Sequence, residues 1–264
     1  MTRPLKVGVQ LPEIERVVRW PEMVAMARRI EELGYDAIWL GDHLLYRWPG
    51  VAEARGPWEA WTMLAGIAAA TSRVSIGPLV ASTSFHAPAM LAKQAATVDE
   101  ISGGRLILGL GAGWNETEYR AFGFPFDHRI CRFEESFSII RTLLAEGSID
   151  FEGTYYQVRD CELLPRSSRP AGPPLLLGSS GERMLAIASP WIQGWNAWYN
   201  ATGNRPAGVA RLAEGVDAAA IRAGRRPADI ERSVAVLVEL PEGAGRFQGG
   251  YTTTEIPALR GSAE

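Results

Sequence analysis

The run Arg105-Leu-Ile-Leu-Gly-Leu-Gly-Ala-Gly-Trp114-Asn115-Glu116 decides how this chain is read. Apolar residues climb a strand, and Gly109, Gly111 and Gly113 then remove every second side chain at its end. Glycine weakens a strand interior, so a repeated one signals that a backbone or a ligand comes close. Helix-compatible residues follow at once (Asn115-Glu116-Thr117-Glu118), so the bared strand opens toward a helix N-terminus, a place suited to an anionic or flat ligand. The competing reading is that the glycines only let a strand bend inside a packed sheet. As a dinucleotide fingerprint the run is weak, because it lacks the final glycine spacing and no acidic strand end follows about 20 residues on.

Outward from this strand, strand-like and helix-like runs alternate. Leu5–Leu11, Ala37–Gly41, Val74–Ala81 and Leu106–Gly113 read as strands that recur every 32 to 37 residues. Between them, Pro21–Leu33, Trp58–Thr71 and Pro88–Ser102 carry helical spacing, the last with Leu91, Ala95, Val98 and Ile101 inward. A short helix is expected at 115–121 and a longer one at Arg132–Glu146. Residues 147–173 interrupt the rhythm with a turn at Glu152-Gly153 and a Pro/Ser/Arg-rich connector. It resumes with strand Pro174–Gly178, helix Gly181–Ser189, strand Gly194–Trp198, helix Pro206–Ala223 and strand Glu231–Glu239. This is the βα rhythm of a parallel sheet with right-handed crossovers. The expectation is one α/β domain over 1–264, a TIM-like (β/α)8 barrel that stops one helix and one strand short, with Leu259–Glu264 as a cap and first turn.

Composition narrows the function. The chain has 264 residues, 47% hydrophobic, enough for a large core. A net charge of -3 without a basic block argues against nucleic acid or acidic membranes as partners. Cys131 and Cys161 lie outside any Cys-x-x-Cys spacing, which points to a reducing compartment. With no apolar leader or spanning stretch, the cytoplasm is the expected location. No Gly-x-Ser-x-Gly elbow, Walker lysine loop or His-x-His motif on the first strand is present, which sets aside hydrolase readings.

Chemically rich residues stand just past the strand ends, which share one face in a parallel α/β fold. Asp42-His43 ends the second strand, and a histidine beside an aspartate there can exchange a proton near neutral pH. The alternative is a surface histidine bonded to a loop. His86 and His128 lie in loop-like sequence and do not complete a paired ligand spacing, so no metal site is expected. Leu79-Val80-Ala81-Ser82 ends the third strand, and Gly113-Trp114-Asn115 the fourth. Gly178-Ser179-Ser180-Gly181 before a helix is a compact anion cradle or an ordinary capped turn. Trp39, Trp48, Trp58, Trp61, Trp114, Trp191, Trp195 and Trp198 crowd strand ends and loops and together suit a flat ring system.

These residues resemble the luciferase-like monooxygenase family, barrels that bind FMN or the deazaflavin coenzyme F-420. The resemblance covers nearly the whole chain and rests on LGYDAIWLGDHLL, on the block from GPLVASTSFHAP to GLGAGWNETEYRAFGFPF, and on GSSGERMLAIA with the later GWN. It implies that Asp42 and His43 lie by the reactive ring face, with the histidine a proton donor or acceptor. It also implies a non-proline cis peptide at Leu79-Val80 behind the ring, cofactor contacts at Ser82 and at Gly113 to Asn115, and a phosphate seat at Gly178 to Gly181. The chain departs from the family at Trp114, where some F-420 sugar dehydrogenases place a glutamate acid, and at Gln193, where relatives often have aspartate.

The implied function is hydride transfer or monooxygenation of a small-molecule substrate with reduced FMN or F-420. A homodimer and a separate reductase that supplies reduced cofactor are the implied partners. The second reading is a truncated or degenerate relative that binds a ligand or partner without turnover. Loops 44–57, 116–131 and 240–258 are expected to choose the substrate.

Overall fold

The computed structural model describes residues 5–47, 53–239 and 256–260. Trp48, most of the 240–258 loop and the expected cap residues Ser262–Glu264 fall outside them. Its contacts divide the chain into two compact units, Met1–Tyr46 with Arg55–Leu175, and Arg47–Ala54 with Leu176–Glu264.

The first unit opens with β1 (Gly8–Gln10), α1 (Trp20–Glu32), β2 (Ala37–Leu40) and α2 (Ala60–Ala70). In α1 the proline sits in the first turn, and Met23, Ala27 and Ile30 form the buried stripe that their spacing predicts. Helix α2 begins at Ala60 rather than Trp58 because the Glu59 carboxylate accepts the N–H groups of Trp61 and Thr62, at 2.9 and 2.7 Å.

The expected third strand is broken in two. After β3 (Ser75–Pro78) the chain passes through a cis Leu79-Val80 peptide, as the resemblance implied, and re-forms as β4 (Ala81–Ser82). A 3-10 turn at Thr83–Phe85 leads to α3 (Pro88–Ser102), which ends on left-handed Gly103. Ile101 does not face inward; it is 45% exposed. The helical step from Leu91 through Ala95 and Val98 falls next on Ser102, which is buried and donates to the Asp99 carbonyl at 2.9 Å.

Then follow β5 (Leu108–Gly111), α4 (Glu116–Phe122) and α5 (Arg129–Glu146), the last starting three residues before the expected Arg132. The interruption is an antiparallel hairpin, β6 (Ser148–Glu152) and β7 (Gln157–Glu162). Strands β1, β2 and β3 pair in parallel, β4 pairs with β5, and an Ile76–Leu106 bridge leads β3 to the start of β5. Ile38, Leu64, Ile76, Leu91, Leu106 and Leu108 are fully buried between these strands and helices. Each such side chain contributes about 1.5–3 kcal/mol.

The second unit holds β8 (Leu175–Leu177, whose first residue belongs to the first unit), α6 (Glu182–Ala188), β9 (Gly194–Ala197), α7 (Tyr199–Thr202), α8 (Pro206–Arg222) and β10 (Glu231–Val234). Strands β8, β9 and β10 are parallel neighbours. The expected strand Glu231–Glu239 is interrupted after Val234. Its last two residues form β11 (Val238–Glu239), paired in parallel with β12 (Leu259–Arg260). Leu259 and Arg260 are therefore strand and not the start of a helical cap, because their backbone groups are used by β11.

Candidate active site at the strand ends

Asp42 and His43 follow β2, just past its last residue Leu40. They are adjacent in sequence but do not pair with each other. Asp42, 3% exposed, accepts the Ser82 N–H at 2.9 Å and lies 2.9 Å from His86 Nε2. His43 turns to α4, where its Nδ1 lies 2.8 Å from Glu118 Oε1. The histidine and aspartate that stand side by side in the sequence thus enter two separate histidine–carboxylate pairs.

Glu118 is 1% exposed, and its other oxygen accepts the N–H groups of Leu44 and Leu45 at 2.8 and 3.3 Å. Asn115, one turn earlier on α4, donates its side-chain amide to the Leu45 carbonyl at 2.9 Å. Helix α4 therefore grips the chain directly after His43 at three backbone groups. The His43 ring lies 4.8 Å from the Tyr46 ring and 5.6 Å, edge-on, from Trp114. Trp114 is 49% exposed, so this corner faces solvent through an aromatic wall.

Burial opposes a charge on His43, but the Glu118 hydrogen bond and the negative charges of Glu13, Glu118 and Asp42 outweigh it. The ring is held above its ordinary range and keeps its second proton to higher pH. Glu13, itself buried, lies over Gly41: a Cβ there would sit 1.5 Å from its Oε1, so a side chain at this position would require the carboxylate to shift. Glu13 also lines a cavity of about 190 Å³ with Val18, Met23, Leu40, Trp58 and Met63.

The glycines of the opening run serve close approach, but the neighbours are protein atoms. A Cβ on Gly109 would meet the Pro78 carbonyl at 2.3 Å, and one on Gly111 the Val80 side chain at 2.7 Å. Gly113, at φ +69°, leaves room for Tyr119 Oη and Ser82 Oγ, which would stand 2.0 and 2.4 Å from a Cβ. Those two hydroxyls bond each other at 2.9 Å, and Tyr119 donates to the Ala112 carbonyl at 2.8 Å. Burial raises the Tyr119 phenol above its ordinary range, so it stays protonated.

Leu79 and Val80, at the break between β3 and β4, are only half-buried. Considered by itself, the turn Gly178–Gly181 of the second unit leaves its helix without a side-chain cap. A Cβ on Gly181 would find nothing nearer than 3.7 Å, and the Gly181 N–H donates to Ser179 Oγ at 3.3 Å within the turn.

Three of the described tryptophans have separate local roles. Trp61 is buried near His86, Trp39 packs where a Gly8 side chain would be, and Trp195 donates to the Ser179 carbonyl at 2.9 Å within the second unit. Among the described residues no group of three or more His, Cys, Asp or Glu side chains forms a metal-ligand cluster, and no helix is long and apolar enough to cross a membrane.

Sequence reasoning missed Glu118, His86, Tyr119 and Glu13. One readable signal existed: Asn115 and Glu118 stand one helical turn apart, so they share a face of α4.

Comparison with known proteins gives the family and the fold. The model of the family described as luciferase-like monooxygenase matches residues 5–243. The F-420-dependent glucose-6-phosphate dehydrogenase of Amycolatopsis mediterranei is 35% identical over 166 residues, 61% of this chain and 48% of that protein. Pyrimidine monooxygenase RutA of Cronobacter turicensis is 33% identical over 172 residues, 63% of this chain and 44% of its own length. The chain thus spans about half the length of these curated relatives. The crystal structure of monooxygenase RslO1 from Streptomyces bottropensis superposes with a TM-score of 0.76 at 24% identity, covering 90% of this chain and 72% of that one. That likeness shows an α/β fold of the TIM-barrel type. Matched over 5–243 and carrying these βα units, the chain belongs to the luciferase-like monooxygenase family.

Proposed function

We propose that this chain is an oxidoreductase that uses FMN or coenzyme F-420 to act on a small organic substrate, with His43 as its proton partner. The observation that carries the reading is the buried Glu118 carboxylate 2.8 Å from His43 Nδ1, which leaves Nε2 as the atom for exchange. The family match supports the cofactor class.

Leu79, Val80, Ser82, Gly113, Trp114 and Asn115 are the residues proposed to hold the ring. Gly178, Ser179, Ser180 and Gly181 are those proposed to hold a phosphate. When bound, the ring system supplies the redox chemistry: hydride transfer with F-420, and oxygen activation as well with FMN. The protein's own part is to orient, to exclude water and to hold a proton at His43 Nε2. Asp42 contributes negative charge toward His43 and braces Ser82 through its N–H.

A homodimer, and with FMN a separate reductase, are the proposed partners. Cys131 and Cys161 are not joined in a disulfide, which fits a cytoplasmic location. The intact His43–Glu118 pair favours turnover over binding alone. Incubation of the protein with reduced FMN and with reduced F-420, followed by gel filtration and spectra, tests the reading. Retention of one cofactor at micromolar levels is expected and tells which is used; retention of neither overturns the proposal.

A further inference from the structure

We propose that Glu118 is the positioning residue of this site: its carboxylate takes the Nδ1 proton of His43 and so commits the ring to exchange protons through Nε2 alone. The inference deepens the reading of His43 as proton partner and rests on it for its functional meaning, while its test is independent of any cofactor.

The geometry leaves the carboxylate little freedom. Oε2 is engaged by the N–H groups of Leu44 and Leu45, which only an oxygen can satisfy, and this directs Oε1 at the ring. The same side chain therefore holds the ring nitrogen of His43 and the backbone that follows it. Asn115, donating to the Leu45 carbonyl, prevents that backbone from sliding along α4.

A carboxylate accepts and does not donate, so the neutral ring must carry its hydrogen on Nδ1 and expose the Nε2 lone pair. The protonated ring exposes Nε2–H instead. The charged groups facing the ring are Glu13 after β1, Asp42 at the end of β2 and Glu118 on α4, with Asp42 also engaged by His86. Tyr46 and Trp114 close the aromatic side. All three charges are negative and favour the cation, but only Glu118 bonds the ring and selects which nitrogen is left free.

Glu118→Gln inverts this selection at nearly constant volume. The amide oxygen must stay on Leu44 and Leu45, so the amide NH2 faces Nδ1, which then has to accept. The neutral ring switches to the Nε2–H tautomer, and a second proton would set N–H against N–H.

Long-range 1H–15N spectra of ring-labelled protein read the tautomer directly, and the chain has only three histidines to assign. We expect the Nδ1–H tautomer for neutral His43 in the wild type. In Glu118→Gln we expect Nε2–H, with the His43 pKa lowered. A wild-type Nε2–H tautomer, or an unchanged His43 spectrum in a folded variant, overturns the proposal. Should the variant not fold, the wild-type tautomer decides alone. Failure to retain FMN or F-420 would leave these spectra unaltered, so this inference and the proposed function fail separately.

Discussion

Two histidine–carboxylate pairs diverge from the end of β2, and they are built for different work. In one, His43 is 19% exposed against a carboxylate that is 1% exposed, beside a half-open tryptophan. In the other, His86 is 13% exposed against Asp42 and stands near the buried Trp61. The Asp42 carboxylate also takes the Ser82 N–H, so it ties the end of β2 to the end of β4. The Glu118 carboxylate ties the start of α4 to the two residues after His43. Both carboxylates brace the fold, but only the first pair turns a titratable ring toward an open aromatic corner. These adjacent residues part because Asp42 is held by Ser82 and His86, and His43 by Glu118 on α4.

The sharpest way to break this comparison is His43→Gln. Turnover with the retained cofactor should fall by about 10²–10⁴-fold, the usual weight of a positioned acid or base. An equal loss in His86→Gln would make the two pairs equivalent and end the distinction.

Next in size is Glu118→Ala, which strands the His43 ring and two backbone N–H groups. A loss of about 3 kcal/mol is expected from breaking a buried hydrogen-bonded pair. It should appear as a drop in melting temperature of about 6–12 °C.

Asp42→Ala strands the Ser82 N–H and His86 and should cost about 2 kcal/mol in chemical denaturation. Turnover should fall far less than in His43→Gln. A loss of turnover matching His43→Gln without lost stability would instead place Asp42 at the chemistry.

The pH dependence separates the pairs more finely. The folded-state pKa of His43 is raised, so its stabilisation is fully present below the unfolded value, near 6.5, and is lost as pH rises through the higher folded value. The stability gap between wild type and His43→Gln, measured by denaturation across that window, should therefore narrow as pH rises. A gap that widens with pH would contradict the assignment.

The smallest effect is expected for Tyr119→Phe, which removes the hydroxyl between Ser82 and the Ala112 carbonyl. About 1 kcal/mol should be lost, with the His43 tautomer unchanged. A change in that tautomer would show the two pairs to be coupled through this phenol.

Much of the frame was legible in the residues. The Met23, Ala27, Ile30 stripe, the prolines in the first turns of α1, α3 and α8, and left-handed Gly103 are local signals, and each element they mark is present. The resemblance located the break at Leu79-Val80, which periodicity alone read as one continuous strand. The glycine run was read correctly as a place of close approach, yet what approaches is Pro78, Val80, Tyr119 and Ser82. Nothing in the run itself distinguishes a ligand from a neighbouring strand, since both require the same missing Cβ.

By itself, the sequence determined the alternation of strands and helices, the family, and the strand ends where reactive residues collect. Those properties depend on windows of a few to some twenty residues, within which a helical or pleated period repeats. Only the tertiary structure decided that His43 pairs with Glu118, 75 positions away, and Asp42 with His86, 44 positions away. A hydrogen bond is made by whichever acceptor packing brings within about 3 Å, and no spacing rule along the chain encodes that distance.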